Sequence, residues 1–170
     1  MLRRLLCFLP LCSLMLGCES EPLDAATGVQ LERFQGKWYE IAKLPRPSQA
    51  DCTKTTATYS LKSKTELLVL NECWRGQSNG FADRLAARAV VSDPAVPAKL
   101  SLDFGFAYGD YWILEVGEDY DHAVIGHPTR DYLWIMSRTP DLDPQVLRGV
   151  LERARAKGFP TALLNYTEQG

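Results

Sequence analysis

Ala98-Lys99-Leu100-Ser101-Leu102-Asp103-Phe104 alternates without a break, placing Leu100, Leu102 and Phe104 on one face and Lys99, Ser101 and Asp103 on the other. Side chains of a β-strand point to opposite faces in turn, so a period of two marks a strand with one face in an apolar core. Working outward, short apolar or alternating segments recur on both sides. Upstream lie Lys37 to Leu44, Cys52 to Leu61, Leu67 to Trp74 and Phe81 to Val91; downstream lie Tyr111 to Val116, His122 to Gly126 and Tyr132 to Arg138. Each is bounded by turn residues. Pro45 and Pro47 stop the first segment because proline donates no ladder bond, and Gly76-Gln77-Ser78-Asn79-Gly80 has the glycines a tight reversal needs.

One helix stands against these eight strands. Asp143 is a good N-cap, Pro144 occupies the favoured first position, and Val146, Leu147, Val150, Leu151 and Ala154 form one apolar stripe that ends at Gly158 and Pro160. Tyr111 to Val116 and Tyr132 to Arg138 are apolar on both faces, so something covers them from outside. The expected fold is all-β: an eight-stranded antiparallel up-and-down barrel with one C-terminal helix packed on its outer wall.

The first 17 residues follow other rules. Arg3 and Arg4 precede an apolar run of 12 residues, Leu5 to Leu16, which Pro10 interrupts; a membrane-spanning helix takes about 20. That is the pattern of an export signal. A buried N-terminal helix is the alternative, but a stretch with no polar face would pack poorly there. Leu14-Met15-Leu16-Gly17-Cys18 resembles the lipobox of bacterial lipoproteins, which makes Cys18 the lipidated first residue of the mature chain. Residues 18–30 are polar and small and are expected to form a tether, with the domain spanning 31–170. Glu19 follows the lipidated cysteine, where lipoproteins kept in the inner membrane usually carry Asp, so the periplasmic face of the outer membrane is expected.

Cys7 and Cys12 leave with the signal and Cys18 takes the lipid, so Cys52 and Cys73 remain. In an oxidising compartment two thiols suggest one disulfide; two separate buried thiols are the alternative. The chain's formal net charge of −2 becomes more negative by two when Arg3 and Arg4 are removed. No run of one sign could track a phosphate backbone, which argues against nucleic acid as a partner.

Phe34-Gln35-Gly36-Lys37-Trp38-Tyr39-Glu40 carries a Gly-x-Trp motif in the first strand. In order after it come Thr56-Ala57-Thr58-Tyr59-Ser60-Leu61, Asp119-Tyr120, and Tyr132-Leu133-Trp134-Ile135-Met136-Ser137-Arg138-Thr139-Pro140. Together these blocks resemble the lipocalin family, in particular its lipidated bacterial outer-membrane members. The resemblance implies a closed barrel whose tryptophan, here Trp38, plugs one end, with the last-strand arginine, here Arg138, lying against it. It also implies a non-enzymatic binding protein for an apolar small molecule, a fatty acid or lysophospholipid, with no cofactor and no metal.

Alternation from Trp38 directs Glu40 and Ala42 into the barrel, with Ala57, Tyr59 and Leu61 on the second strand. Tyr111 and Ile113 on the sixth strand, and Trp134 and Met136 on the eighth, complete the expected cavity wall, leaving Leu133 and Ile135 for the helix. Glu40 is either a ligand contact or the partner of a Lys or Arg at the rim. Two other functions compete. An enzyme would need a constellation that the sequence does not offer, since His122 and His127 lack an obvious serine or carboxylate partner and point to opposite faces. A scaffold would be signalled by an exposed apolar patch or a homodimer.

Overall fold

The computed structural model describes residues 21–76 and 81–170; the signal sequence, Cys18 and the Gly76–Gly80 reversal beyond Gly76 lie outside them. Eight antiparallel strands form the barrel: β1 (Gly36–Lys43), β2 (Cys52–Ser63), β3 (Glu66–Arg75), β4 (Phe81–Val91), β5 (Lys99–Asp103), β6 (Tyr108–Val116), β7 (His122–Gly126) and β8 (Leu133–Ser137). Each pairs with the next, and β1 pairs with both β8 and β2, which closes the sheet. The connections after β1, β3, β5 and β7 lie at one end, called here the open end; those after β2, β4 and β6 lie at the other. A two-residue strand, β9 (Asn165–Tyr166), adds to β1 near the open end. It was not expected, because two residues carry no periodicity.

Closure divides the apolar side chains into two bodies. The inner one includes Trp38, Ala57, Tyr59, Leu67, Leu100, Tyr111, Ile113, Ile125 and Met136. The outer one joins Leu114, Val124, Leu133 and Ile135 of the wall to Val150, Ala154, Val146, Leu147 and Leu151 of the helix α2 (Pro144–Ala156). The expected stripe is thus the face that packs, and each fully buried aliphatic side chain there contributes about 1.5–3 kcal/mol. The Asp143 carboxylate caps the helix, accepting from the N–H of Gln145 at 2.7 Å and of Val146 at 3.2 Å. Gly158, at φ +88°, turns the chain out of it.

Three expectations are corrected. The stretch from Glu21 to Gln30 is no free tether. Leu23 enters the outer body and Val29 the inner one, the Ala26 N–H donates to the Ile113 carbonyl at 2.8 Å, and the Gln30 N–H donates to the Tyr120 hydroxyl at 2.8 Å. Two apolar side chains in an otherwise polar run suffice when the backbone between them is also paired. A one-turn helix, α1 (Leu31–Phe34), then crosses the closed end with Leu31 and Phe34 buried, where no second helix was expected. Ala42 does not face the cavity. The β1–β8 register steps from Glu40 opposite Met136 to Ala42 opposite Ile135, so Ile41 is an extra residue. Such a bulge reverses the faces beyond it: Ile41 and Ala42 join the outer body, and Lys43 turns inward.

A polar seam fastens the helix to the wall. Arg153 donates twice to the Glu115 carboxylate, at 2.8 and 2.6 Å, and the His122 ring lies 3.4 Å from it and 2.8 Å from Asp121. Burial alone would raise the Glu115 carboxyl, but the bonds from Arg153 and His122 outweigh it and hold it at about 2. His122 is raised, chiefly by its bond to Glu115, against burial and with help from Asp121. The two groups act in opposite directions. The Glu115 contribution is present above its ordinary value of 4.5 and lost as pH falls toward 2, whereas that of His122 is present below 6.5 and lost as pH rises through its raised value. Thermal melts across pH 2–9 are expected to decline on both sides, and Glu115→Gln is expected to flatten the acid limb. An unchanged acid limb would exclude the seam as its source.

Candidate ligand cavity

The closed end is built from the residues that the motif singled out. The Arg138 guanidinium lies 3.8 Å from the centre of the Trp38 ring, and Phe34 stacks on the same indole at 4.8 Å. Trp38 is fully buried, and its ring N–H donates to the Phe34 carbonyl at 2.8 Å. Arg138 in turn donates to the carbonyls of Arg33 at 2.8 Å, Lys37 at 3.1 Å and Tyr120 at 3.1 Å. Gly36, at φ +95°, is where the chain leaves α1 for β1. A Cβ there would stand 3.2 Å from Arg138, so both backbone conformation and space call for glycine.

Above the plug the barrel opens into a cavity of about 720 Å³. Of the residues that the sequence directs inward, Glu40, Ala57, Tyr111, Trp134 and Met136 line it. Tyr59 and Ile113 belong to the inner body but do not line the cavity. The Tyr59 and Tyr111 hydroxyls are 2.6 Å apart. Burial pushes both phenols well above their ordinary range, and the Glu40 carboxylate adds to this at Tyr111. Both therefore stay neutral. One of their two protons makes the bond between them, and the other is free for an acceptor.

Glu40 is not a bare carboxylate in an apolar wall. Lys43 donates to it at 2.6 Å, both side chains being nearly fully buried, and the Thr167 hydroxyl donates to the same oxygen at 2.6 Å. Between the two readings of Glu40, pairing with a lysine is what the geometry shows, at a position that also lines the cavity. Sequence reasoning missed Lys43, because only the bulge at Ile41 turns it inward. It missed Thr167 and Gln169, because the last residues return over the gap where β1 and β2 part. There the Thr167 N–H donates to the Ile41 carbonyl, and the Gln169 amide to the carbonyls of Glu40 and Thr55.

The mouth is polar and aromatic. Arg46 lies over Tyr132 at 4.1 Å and within 5.9 Å of Trp134. Arg75 ties the segment after β1 to the rim through Asp83 at 2.9 Å, Asp51 at 3.2 Å and the Ser48 carbonyl at 2.7 Å. Cys52 and Cys73 are joined in a disulfide in the same wall, with Cα atoms 5.4 Å apart. It bridges two strands that the β2–β3 ladder already brings together. His127 lies at this rim beside Tyr132, while His122 sits in the seam outside the barrel. Among the described residues no three His, Cys, Asp or Glu side chains come together as a metal would need.

A closed meander barrel, plugged at one end and hollow at the other, whose lining surface is mostly apolar but carries many charged and polar side chains, can contain a small apolar molecule. A family model described as lipocalin-like domain matches residues 29–169. Temperature-induced lipocalin-1 of Arabidopsis thaliana is 36% identical over 161 residues, covering 89% of this chain and 85% of the relative. The outer membrane lipoprotein Blc of Escherichia coli K12 is 33% identical over 139 residues, covering 81% and 78%. Among solved structures, insecticyanin of the tobacco hornworm Manduca sexta superposes with a TM-score of 0.66 at 21% identity, covering 88% of this chain and 84% of that one. Lobster apocrustacyanin A1 superposes at 0.65 and 18%, covering 88% and 90%. The chain belongs to the lipocalin family.

Proposed function

We propose that this lipocalin is a binding protein, not an enzyme, that holds a fatty acid or lysophospholipid while anchored through lipidated Cys18 to the periplasmic face of the outer membrane. The cavity carries the reading. At about 720 Å³ it falls within the 300–1,000 Å³ typical of small-molecule sites. Its wall combines the apolar surfaces of Ala57, Leu102, Phe104, Trp134 and Met136 with Arg46 at the mouth and Tyr111, whose hydroxyl is paired with that of Tyr59. An acyl chain fits the wall, and an anionic or polar head meets the guanidinium at the rim. The names of the bacterial relatives, outer membrane lipoproteins, support the anchor and its location.

Organic extraction of the purified protein followed by mass spectrometry should release a single-chain lipid. Fatty-acid titration should give a saturable fluorescence change that Trp134→Phe abolishes, since Trp134 lines the cavity. Ala57→Trp, which fills part of the lumen, should weaken binding about tenfold, equivalent to about 1.4 kcal/mol. No extractable lipid and no saturable response would overturn the reading. Mass measurement of the mature protein tests the acylation of Cys18, and fractionation of the envelope tests the membrane.

A further inference from the structure

Among the described residues, the open end of the barrel carries exposed aromatic side chains on β3 and on the β5–β6 hairpin. Phe106 is 81% and Tyr108 77% exposed on and after the β5–β6 connection, and Trp74, near the open end of β3, is 47% exposed. Phe104, at the cavity mouth, lies 6.0 Å from Phe106, so the apolar lining continues out onto the rim. Rings left this exposed gain little for the fold, whereas aromatic side chains are favoured at the boundary between lipid and water.

The start of the described chain is held at the same end. Arg130, in the β7–β8 connection, donates to the Glu21 carbonyl and also to those of Lys157 and Pro128. That connection is the next one round the rim from the one bearing Phe106. Cys18 precedes Glu21 by three residues, which reach at most about 11 Å. Because the segment after Glu21 packs on the barrel, none of it is available to lengthen the link. An anchor at Cys18 therefore holds the open rim close to the bilayer, and cannot do so for the closed end.

We infer that the mouth of the barrel docks on the lipid bilayer that carries its anchor, with Phe106, Tyr108 and Trp74 entering the headgroup boundary, so that a single-chain lipid passes between membrane and cavity without crossing water. The inference rests on the lipidation of Cys18 proposed above. Charges of both signs surround the mouth, Arg46 and Arg130 with Asp110 and Asp131, so the contact is apolar and its strength changes little with salt.

The test uses the full lipidated protein in vesicles of phosphatidylethanolamine and phosphatidylglycerol. With lipids brominated near the headgroup, part of the tryptophan fluorescence should be quenched, and that part should disappear in Trp74→Phe. Phe106→Asp, at a position that does not line the cavity, should slow fatty-acid uptake from vesicles at least about tenfold while leaving binding of fatty acid supplied in solution unchanged. Wild-type uptake by lipidated Phe106→Asp, together with no quenching assignable to Trp74, would overturn the inference. Failure of the wild type to bind fatty acid from solution would instead overturn the ligand reading, and the quenching result alone would then decide the docking. A mature protein without acyl chains on Cys18 would overturn both anchor and docking.

Discussion

Trp38→Ala is expected to remove about 3–5 kcal/mol of stability, the usual cost of emptying a fully buried tryptophan site. The indole is packed between Phe34 and Arg138, and its N–H is bonded to the Phe34 carbonyl. The variant thus leaves a void and a buried carbonyl without its donor. Arg138→Ala should cost less, because the carbonyls of Arg33 and Lys37 that it frees lie where water can replace the guanidinium. The two losses should not add. A guanidinium over an indole contributes about 0.5–2 kcal/mol, and a double-mutant cycle in urea should recover a coupling of that order. Strict additivity would mean that the plug is not a single unit.

The second large effect is expected at Lys43. Lys43→Met would leave the Glu40 carboxylate almost fully buried with only Thr167 donating to it. Removing one partner of a buried ion pair costs about 3–5 kcal/mol, because the remaining charge is uncompensated. Glu40→Gln combined with Lys43→Met removes both charges and keeps an acceptor for Thr167, so the double variant should regain most of the loss. Urea midpoints of the three proteins measure this directly. If Lys43→Met were as stable as the parent, the pair would not be the buried, closely bonded contact that the structure contains.

Most of the barrel can be read from residue spacing. Leu100, Leu102 and Phe104 alternate because one face of their strand is core, and the helix stripe from Val146 to Ala154 recurs as a helix requires. Trp134 and Met136 share the parity of Arg138, and no irregularity intervenes in β8, so their inward direction follows. The failures share a cause. The bulge at Ile41 depends on how β1 bends to meet β8, a partner 96 residues away by the register of Glu40 with Met136. Ala42 and Lys43 exchange faces as a result, and no local pattern marks it. The packing of Leu23 and Val29, like the return of Thr167 and Gln169 across the β1–β2 gap, is decided by surfaces that exist only once the barrel is closed.

The plug also dictates an order of events during folding. The β2–β3 hairpin reverses between Ser63 and Glu66, whereas Arg138 meets the carbonyls of Lys37 and Arg33 across separations of 101 and 105 residues. Closing a flexible loop of that length carries an entropic term of about 4 kcal/mol, from (3/2)RT ln n. Short hairpins can therefore form first, and the β1–β8 seam is the late step in assembling the cylinder. Contacts absent from the transition state govern the unfolding rate and leave the folding rate nearly unchanged. Arg138 is thus a latch on the lifetime of the closed barrel, and variants at the plug should refold at almost the parental rate while opening many times faster.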